Sequence, residues 1–108
     1  MSDLVAFLAA RLDEDEAAAW SVHDVAKCDA LLYEEDMADA AARTPDCDCG
    51  QPARMRREVA AKRAILARYE QAVSSRFPEA VIAILHDDVT DLAAVYSGHP
   101  DYDPAWRP

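Results

Sequence analysis

The sequence predicts an all-α fold, a small bundle of three to four helices with a non-helical C-terminal tail that folds back. Apolar side chains recur at helical spacing along most of the 108 residues. Only two glycines are present, too few for the turns of an all-β fold. Proline, glycine and aspartate concentrate in one clear break, over residues 44–51. A chain of this length predicts one domain, residues 1–108.

The first helical region is expected over residues 2–43. Ser2 is a suitable N-cap, and Asp3 follows in the first turn, where the helix dipole favours a negative charge. Ser21 is a second possible N-cap, but neither proline nor glycine interrupts the region, so one helix or two remain open. The stripe that begins the region has leucines four residues apart, at Leu4, Leu8 and Leu12.

The second predicted region is a helix over residues 52–75. It follows the loop 44–51, and Pro52 is a residue suited to a first helical turn. Lys62 falls within its apolar stripe, so we expect an acidic partner for the ammonium or a position at the stripe's margin. At 100° per residue the stripe contains Met55, Val59, Leu66, Tyr69 and Val73.

The last helix is predicted over residues 78–97, opened by Pro78 and ended by Gly98. Prolines then punctuate residues 98–108, which are expected to form the non-helical tail. The apolar face of this helix is expected to contain Val81, Ile82, Leu85, Val89, Leu92 and Tyr96.

The net charge of −10 argues against direct binding to nucleic acids or to anionic membranes. Residues 53–77 are the exception, with seven basic and two acidic side chains. We expect their arginines to pair within the molecule rather than to contact phosphate: Arg54, Arg56, Arg57 and Arg63. Since neither a signal peptide nor an apolar run of about 20 residues is visible, a cytoplasmic location is expected.

Two cysteines in the predicted loop, Cys47 and Cys49, form the candidate metal site, with Cys28 and His23 as possible further ligands. Zinc prefers four such ligands, but structural sites usually place two or more residues between cysteines. Loop cysteines without a ligand, a zinc site and a redox role are therefore all retained as interpretations. Three nearby aspartates in the last helix have two interpretations, a solvent-exposed helix face, which is favoured, and a site for a divalent cation. They are Asp87, Asp88 and Asp91.

The tail has two interpretations. Tyr102 and Trp106 can fold back as a lid over the helices, with His99 and Asp101 capping polar groups, because amphipathic aromatic side chains suit half-buried positions. Alternatively, the segment from His99 to Arg107 is a linear epitope for a partner.

Three segments together resemble a known family. They are Asp3-Leu4-Val5-Ala6-Phe7-Leu8-Ala9-Ala10-Arg11-Leu12-Asp13-Glu14-Asp15-Glu16, Pro52-Ala53-Arg54-Met55 through Glu58-Val59-Ala60-Ala61-Lys62-Arg63-Ala64-Ile65-Leu66, and His99-Pro100-Asp101-Tyr102-Asp103-Pro104-Ala105-Trp106-Arg107-Pro108. This combination resembles the domain-of-unknown-function family 6221 of actinobacteria and their phages. The resemblance implies a bacterial or phage source and no reaction.

Neither a P-loop nor a dinucleotide-binding glycine motif is present, and no catalytic motif is visible, so an enzyme is not predicted. The sequence favours a small acidic accessory or regulatory protein that acts through contact with an unidentified protein partner. One alternative is a zinc-stabilised binding module using Cys47 and Cys49. Another is an acidic mimic of nucleic acid that inhibits a DNA-binding protein.

Overall fold

The computed structural model of the protein describes residues 3–19 and 50–107. Within these residues the fold contains three helices and no strand, which confirms the predicted all-α class. The helices are α1 (Asp3–Ala19), α2 (Gln51–Ser74) and α3 (Glu79–Ala94), followed by a 3-10 turn at Pro104–Trp106. The predicted cap at Ser21 and the question of one helix or two over residues 2–43 concern residues outside this description.

The chain divides into two compact units. The first contains described residues 3–12 and 61–107, and the second contains described residues 13–19 and 50–60. Helices α1 and α2 each contribute residues to both units. That the whole chain is a single domain stays a prediction.

The start of α1 supplies the largest apolar part of the first unit's core. The leucine stripe predicted from the sequence is buried, and Leu8 and Leu12 have no exposed surface. Side chains at positions i, i+3 and i+4 share a helix face, so one wide face of α1 is apolar. Its buried apolar members in this unit are Leu4, Val5, Phe7, Leu8 and Leu12.

Helix α2 begins one residue earlier than predicted, at Gln51, because Gly50 makes the turn that starts it. Gly50 has a φ of 75°, a backbone conformation that glycine adopts without steric cost. Its carbonyl accepts a 3.0 Å hydrogen bond from the N–H of Arg54, the first bond of the helix. Pro52 is buried in the first turn, where its missing N–H leaves no helical bond unmade.

The apolar stripe of α2 is buried only in part. Val59, Leu66 and Tyr69 are buried as predicted, but Val73 is 47% exposed, so its predicted place in the core is wrong. In the last turns the buried face shifts to Ala72, which has no exposed surface. Lys62 is partly buried, and its Nζ atom lies 5.7 Å from the centroid of the Tyr96 ring. The described neighbour of this ammonium is therefore an aromatic face and not the acidic side chain that was one of the two expectations.

Helix α2 ends in a Schellman motif that lacks the usual glycine. The N–H of Phe77 donates to the carbonyl of Ala72 at 2.9 Å, and the N–H of Arg76 donates to Val73 at 3.3 Å. Arg76 occupies the left-handed position with a φ of 53°. Any residue with a Cβ is strained there, so the motif ends the helix at a local energetic cost.

We expect Arg76→Gly to stabilise the protein by about 0.5–1 kcal/mol, because glycine relieves the left-handed strain. Urea unfolding followed by circular dichroism measures the change. Ser75→Gly is the matched control, since Ser75 does not have a positive φ and glycine there only adds freedom to the unfolded chain. A midpoint that rises equally in both variants would show that backbone strain at Arg76 is not the cause.

Helix α3 begins after Pro78, as the sequence predicts, but it is shorter than the predicted range of 78–97. Consecutive N–H groups of Val95, Tyr96 and Ser97 bond to carbonyls three residues earlier, which tightens the end of the helix before Gly98. Val89 and Ala93 are its buried residues. Val81 is 38% exposed and its predicted burial is wrong, because it lies about 80° around the helix from Val89.

Candidate functional site

Short-range hydrogen bonds build the first part of the tail. The N–H of His99 donates to the carbonyl of Tyr96 at 2.9 Å, and the N–H of Tyr102 donates to the carbonyl of His99 at 3.0 Å. Pro100 occupies the second position of that turn, where its fixed φ is favourable. The chain therefore reverses direction directly after α3.

The second part of the tail is the 3-10 turn. The sequence predicted that the whole tail is non-helical, so this turn differs from the prediction. Asp103 caps it, since its Oδ1 atom accepts a 2.9 Å hydrogen bond from the N–H of Ala105. Pro104 is the first residue of the turn, and the N–H of Trp106 donates to the carbonyl of Asp103 at 2.9 Å. This short structured turn fixes the position of the Trp106 side chain.

Phe7 of α1 is the centre of an aromatic group that holds the tail. Its ring centroid lies 5.2 Å from Trp106, 5.7 Å from His99 and 5.8 Å from Tyr102. Tyr96 is a fourth neighbour at 6.5 Å. Tyr102 is buried, whereas Trp106 is partly buried. We call these five residues the Phe7 cluster.

Arg11 is a buried cation beside the Phe7 cluster. It is 8% exposed, and its Cζ atom lies 5.1 Å from the centroid of the Phe7 ring. Its Nη1 atom lies 2.9 Å from Nδ1 and 2.7 Å from Nε2 of His99, and 3.8 Å from Oδ2 of Asp101. The Asp101 N–H also donates to His99 Nδ1, at 3.0 Å. These polar contacts and the ring face compensate for burial of the guanidinium.

A groove of about 420 Å³ lies between α1 and the tail, within the first unit. Its lining has no hydroxyl or thiol that could act as a nucleophile. Its histidine neighbour, His99, is occupied by Arg11 and by the Asp101 amide. The lining residues are Asp3, Ala6, Phe7, Ala10, Arg11, Asp101, Asp103 and Trp106. The arrangement therefore holds α1 and the tail together.

A second feature, exposed apolar side chains from the end of α2 to the end of α3, was not recognised in the sequence. Val73 (47%) lies in α2, Phe77 (42%) lies in the connection, and Val81 (38%) and Ile84 (65%) lie in α3, with Val95 (66%) directly after it. We call the first four of these residues the apolar strip. The apolar periodicity of α2 and α3 was visible, but it placed Val73 and Val81 in the core. Only the structure shows that this apolar surface faces outwards.

Three exposed aspartates continue the same face of α3 beyond the apolar strip. Residues three and four apart on a helix are surface neighbours, so Ile84 is adjacent to both Asp87 and Asp88, and Asp91 follows Asp88. We call Asp87, Asp88 and Asp91 the acidic extension. Helix α3 contains no lysine or arginine. Beyond the aspartates the same face is apolar again, because Val95, four residues after Asp91, is 66% exposed.

The remaining predicted site residues are accounted for as follows. Cys47, Cys49, Cys28 and His23 lie outside the described residues. In the described ranges 3–19 and 50–107, no group of three or more histidine, cysteine or carboxylate side chains is placed to hold a metal ion. Arg54 pairs with Glu58 at 3.2 Å within α2. Arg107 is exposed at the end of the 3-10 turn.

No helix in the described part of the chain is long and apolar enough to cross a membrane. Comparison with protein families gives a match over the whole chain, residues 1–108, to a family described as a family of unknown function, DUF6221. Comparison with curated proteins and with solved structures gives no match.

Proposed function

Because this chain belongs to the DUF6221 family, whose function is unknown, we propose from its own surface that it is a non-catalytic accessory or regulatory protein that binds another protein. The apolar strip on α2 and α3 is the proposed contact surface. The observation that supports it is the exposure of four large apolar side chains within residues 73–84, of which Val81 and Ile84 are neighbours on one face of α3. Exposed apolar patches on a small protein are typical of interaction sites.

The Phe7 cluster gives the proposed surface a fixed support. The tail follows α3 directly, and its aromatic side chains contact Phe7 of α1. Helix α3 also contacts the 3-10 turn of the tail. A surface on a supported helix loses little conformational entropy when a partner binds, which favours affinity.

The source and location belong to the same proposal. The resemblance to an actinobacterial and phage family supports an actinobacterial or phage origin, and action in the cytoplasm of that cell. A zinc-stabilised module and an acidic nucleic-acid mimic remain alternatives, since the cysteines that the first requires lie outside the described residues. The apolar strip favours protein contact over both, because neither alternative requires exposed apolar side chains.

Site-specific photo-crosslinking tests the proposal. A crosslinking amino acid at position Ile84, introduced in cells of the native host, should give a discrete protein adduct. The same amino acid at Ala67 is the control, because Ala67 is exposed on α2 and belongs to neither the strip nor the acidic extension. Adducts of equal yield at both positions, or at neither, would remove the strip as the contact surface. Both substituted proteins should fold, because substitutions at exposed positions usually change the free energy of unfolding by no more than about 0.5 kcal/mol.

A further inference from the structure

We infer that the groove between α1 and the tail binds a lysine side chain of a partner protein. The residues that line this groove include none of the apolar strip, so it is a second binding site beyond the proposed contact surface. The groove combines apolar and aromatic walls with carboxylates at its rim. That combination suits a long apolar stem that ends in a cation.

The walls of the groove come from small residues of α1 and from an indole of the tail. Asp3, Ala6 and Ala10 are three and four residues apart, so they lie along one face of α1 over about 10 Å. Trp106 lines the groove from the tail, and its side chain is only partly buried. An aliphatic stem can therefore pack against methyl groups and an aromatic ring while its polar end stays at the rim.

The charge of the groove is negative, because three carboxylates and one guanidinium line it. The guanidinium of Arg11 lies 3.8 Å from Asp101 and offsets that one carboxylate. Neither Asp3 nor Asp103 forms an ion pair within residues 3–19 and 50–107. The cap of the 3-10 turn uses only one of the two carboxylate oxygens of Asp103. Two carboxylates are thus placed to bind a cationic ligand.

A lysine side chain fits these walls and this charge. Its four methylene groups supply the apolar stem, and its ammonium is a compact cation with three hydrogen-bond donors. The indole face of Trp106 adds a cation–π attraction. A neutral apolar side chain would desolvate the carboxylates without compensation, and an anionic one would be repelled.

The shape of the groove favours a side chain presented by a protein over a free amine. Its volume of about 420 Å³ exceeds what one lysine side chain fills, which leaves room for the adjoining peptide backbone. The carboxylates at its rim are exposed. Sites for small molecules usually enclose most of the ligand surface, and this groove is open along its rim.

A nuclear magnetic resonance titration of the full-length protein tests the inference. The probe is a capped pentapeptide with one central lysine between glycines. One matched peptide contains acetyl-lysine, which keeps the stem and removes the charge. Another contains 2,3-diaminopropionate, which keeps the charge and shortens the stem. The lysine peptide should shift the Trp106 indole N–H resonance and bind at least about five-fold more tightly than either matched peptide. Equal binding of all three would overturn the inference.

Variants of the rim locate the peptide. Asp3→Asn combined with Asp103→Asn should weaken binding at least about five-fold, and asparagine preserves an acceptor for the cap of the 3-10 turn. Asp87→Asn combined with Asp91→Asn removes the same charge from α3, outside the groove, and should leave the affinity unchanged. Unchanged far-ultraviolet circular dichroism verifies the fold of each variant. If both pairs weaken binding equally, the net charge of the chain is responsible and the inference is wrong.

A variant of the wall tests the site without any change in charge. Ala6 is exposed on α1, and leucine is a good helix former, so Ala6→Leu should fill the groove and leave the helix intact. It should abolish binding of the lysine peptide. Binding that persists in Ala6→Leu would place the peptide elsewhere and overturn the inference.

Two further outcomes identify the source of the ligand and separate this site from the apolar strip. If free 1,5-diaminopentane binds as tightly as the lysine peptide, the ligand is a free amine and the protein source is wrong. A crosslinked adduct at Ile84 without lysine binding would reject the groove and retain the proposed function. Lysine binding in the groove without an adduct at Ile84 would reject the strip and retain the groove.

Discussion

Replacing Phe7 by alanine should destabilise the protein by about 3–5 kcal/mol, the usual cost of removing a buried phenylalanine side chain. Phe7 is 7% exposed and contacts four aromatic rings and the Arg11 guanidinium. The substitution removes these contacts and leaves a cavity beneath the tail. Urea unfolding measures the loss, and Phe7→Leu, which retains apolar volume without the ring, should lie between wild type and Phe7→Ala.

The chain contains its own control for this change, because it has two phenylalanines. Phe77 is 42% exposed in the apolar strip, so Phe77→Ala should cost less than about 1 kcal/mol. An equal loss in Phe7→Ala and Phe77→Ala would mean that the Phe7 cluster does not support the fold.

Removing residues 98–108 should lower the stability of the whole protein by about 3–5 kcal/mol and not merely abolish binding. The truncation removes His99, Tyr102 and Trp106 from the Phe7 cluster and exposes Phe7 and Arg11. Both the midpoint and the slope of urea unfolding should fall, because less surface is then buried by folding.

Single substitutions distinguish packing from chain length. Trp106→Ala should reproduce part of the loss, whereas Arg107→Ala should be near neutral, because Arg107 is exposed. The Tyr102 hydroxyl is buried and has no hydrogen-bond partner among the described residues, so Tyr102→Phe should be neutral or stabilising. If the truncated and full-length proteins unfold at the same midpoint and slope, the tail is a free epitope and its partner-binding interpretation is correct.

The elements that the sequence predicted best are those determined by local chemistry. The start of α2 and the start of α3 follow from Gly50, Pro52 and Pro78, whose backbone preferences act within a few residues. The end of α2 shows the limit of such signals. Arg76 adopts a positive φ without being glycine, and no residue type in the sequence marks that position.

Burial was predicted less well because it depends on what lies opposite a helix. Periodicity placed Val73 and Val81 in the core, and the structure exposes both. Arg11 shows the reverse case, since a charged residue is buried where His99 and Asp101 approach it. These contacts join positions far apart in sequence, which spacing along one helix does not reveal. The apolar strip was missed for the same reason.

The Phe7 cluster also determines when this protein can fold. The contact between Arg11 and His99 joins residues 88 positions apart, and Phe7 contacts Trp106 still further along the chain. During synthesis at about 5–20 residues per second, α1 leaves the ribosome several seconds before its aromatic partners. Its buried apolar face has no tail to contact during that interval, and closing so long a loop slows folding. A nascent chain stalled before residue 96 therefore presents α1 to chaperones and proteases without the aromatic side chains that cover Phe7.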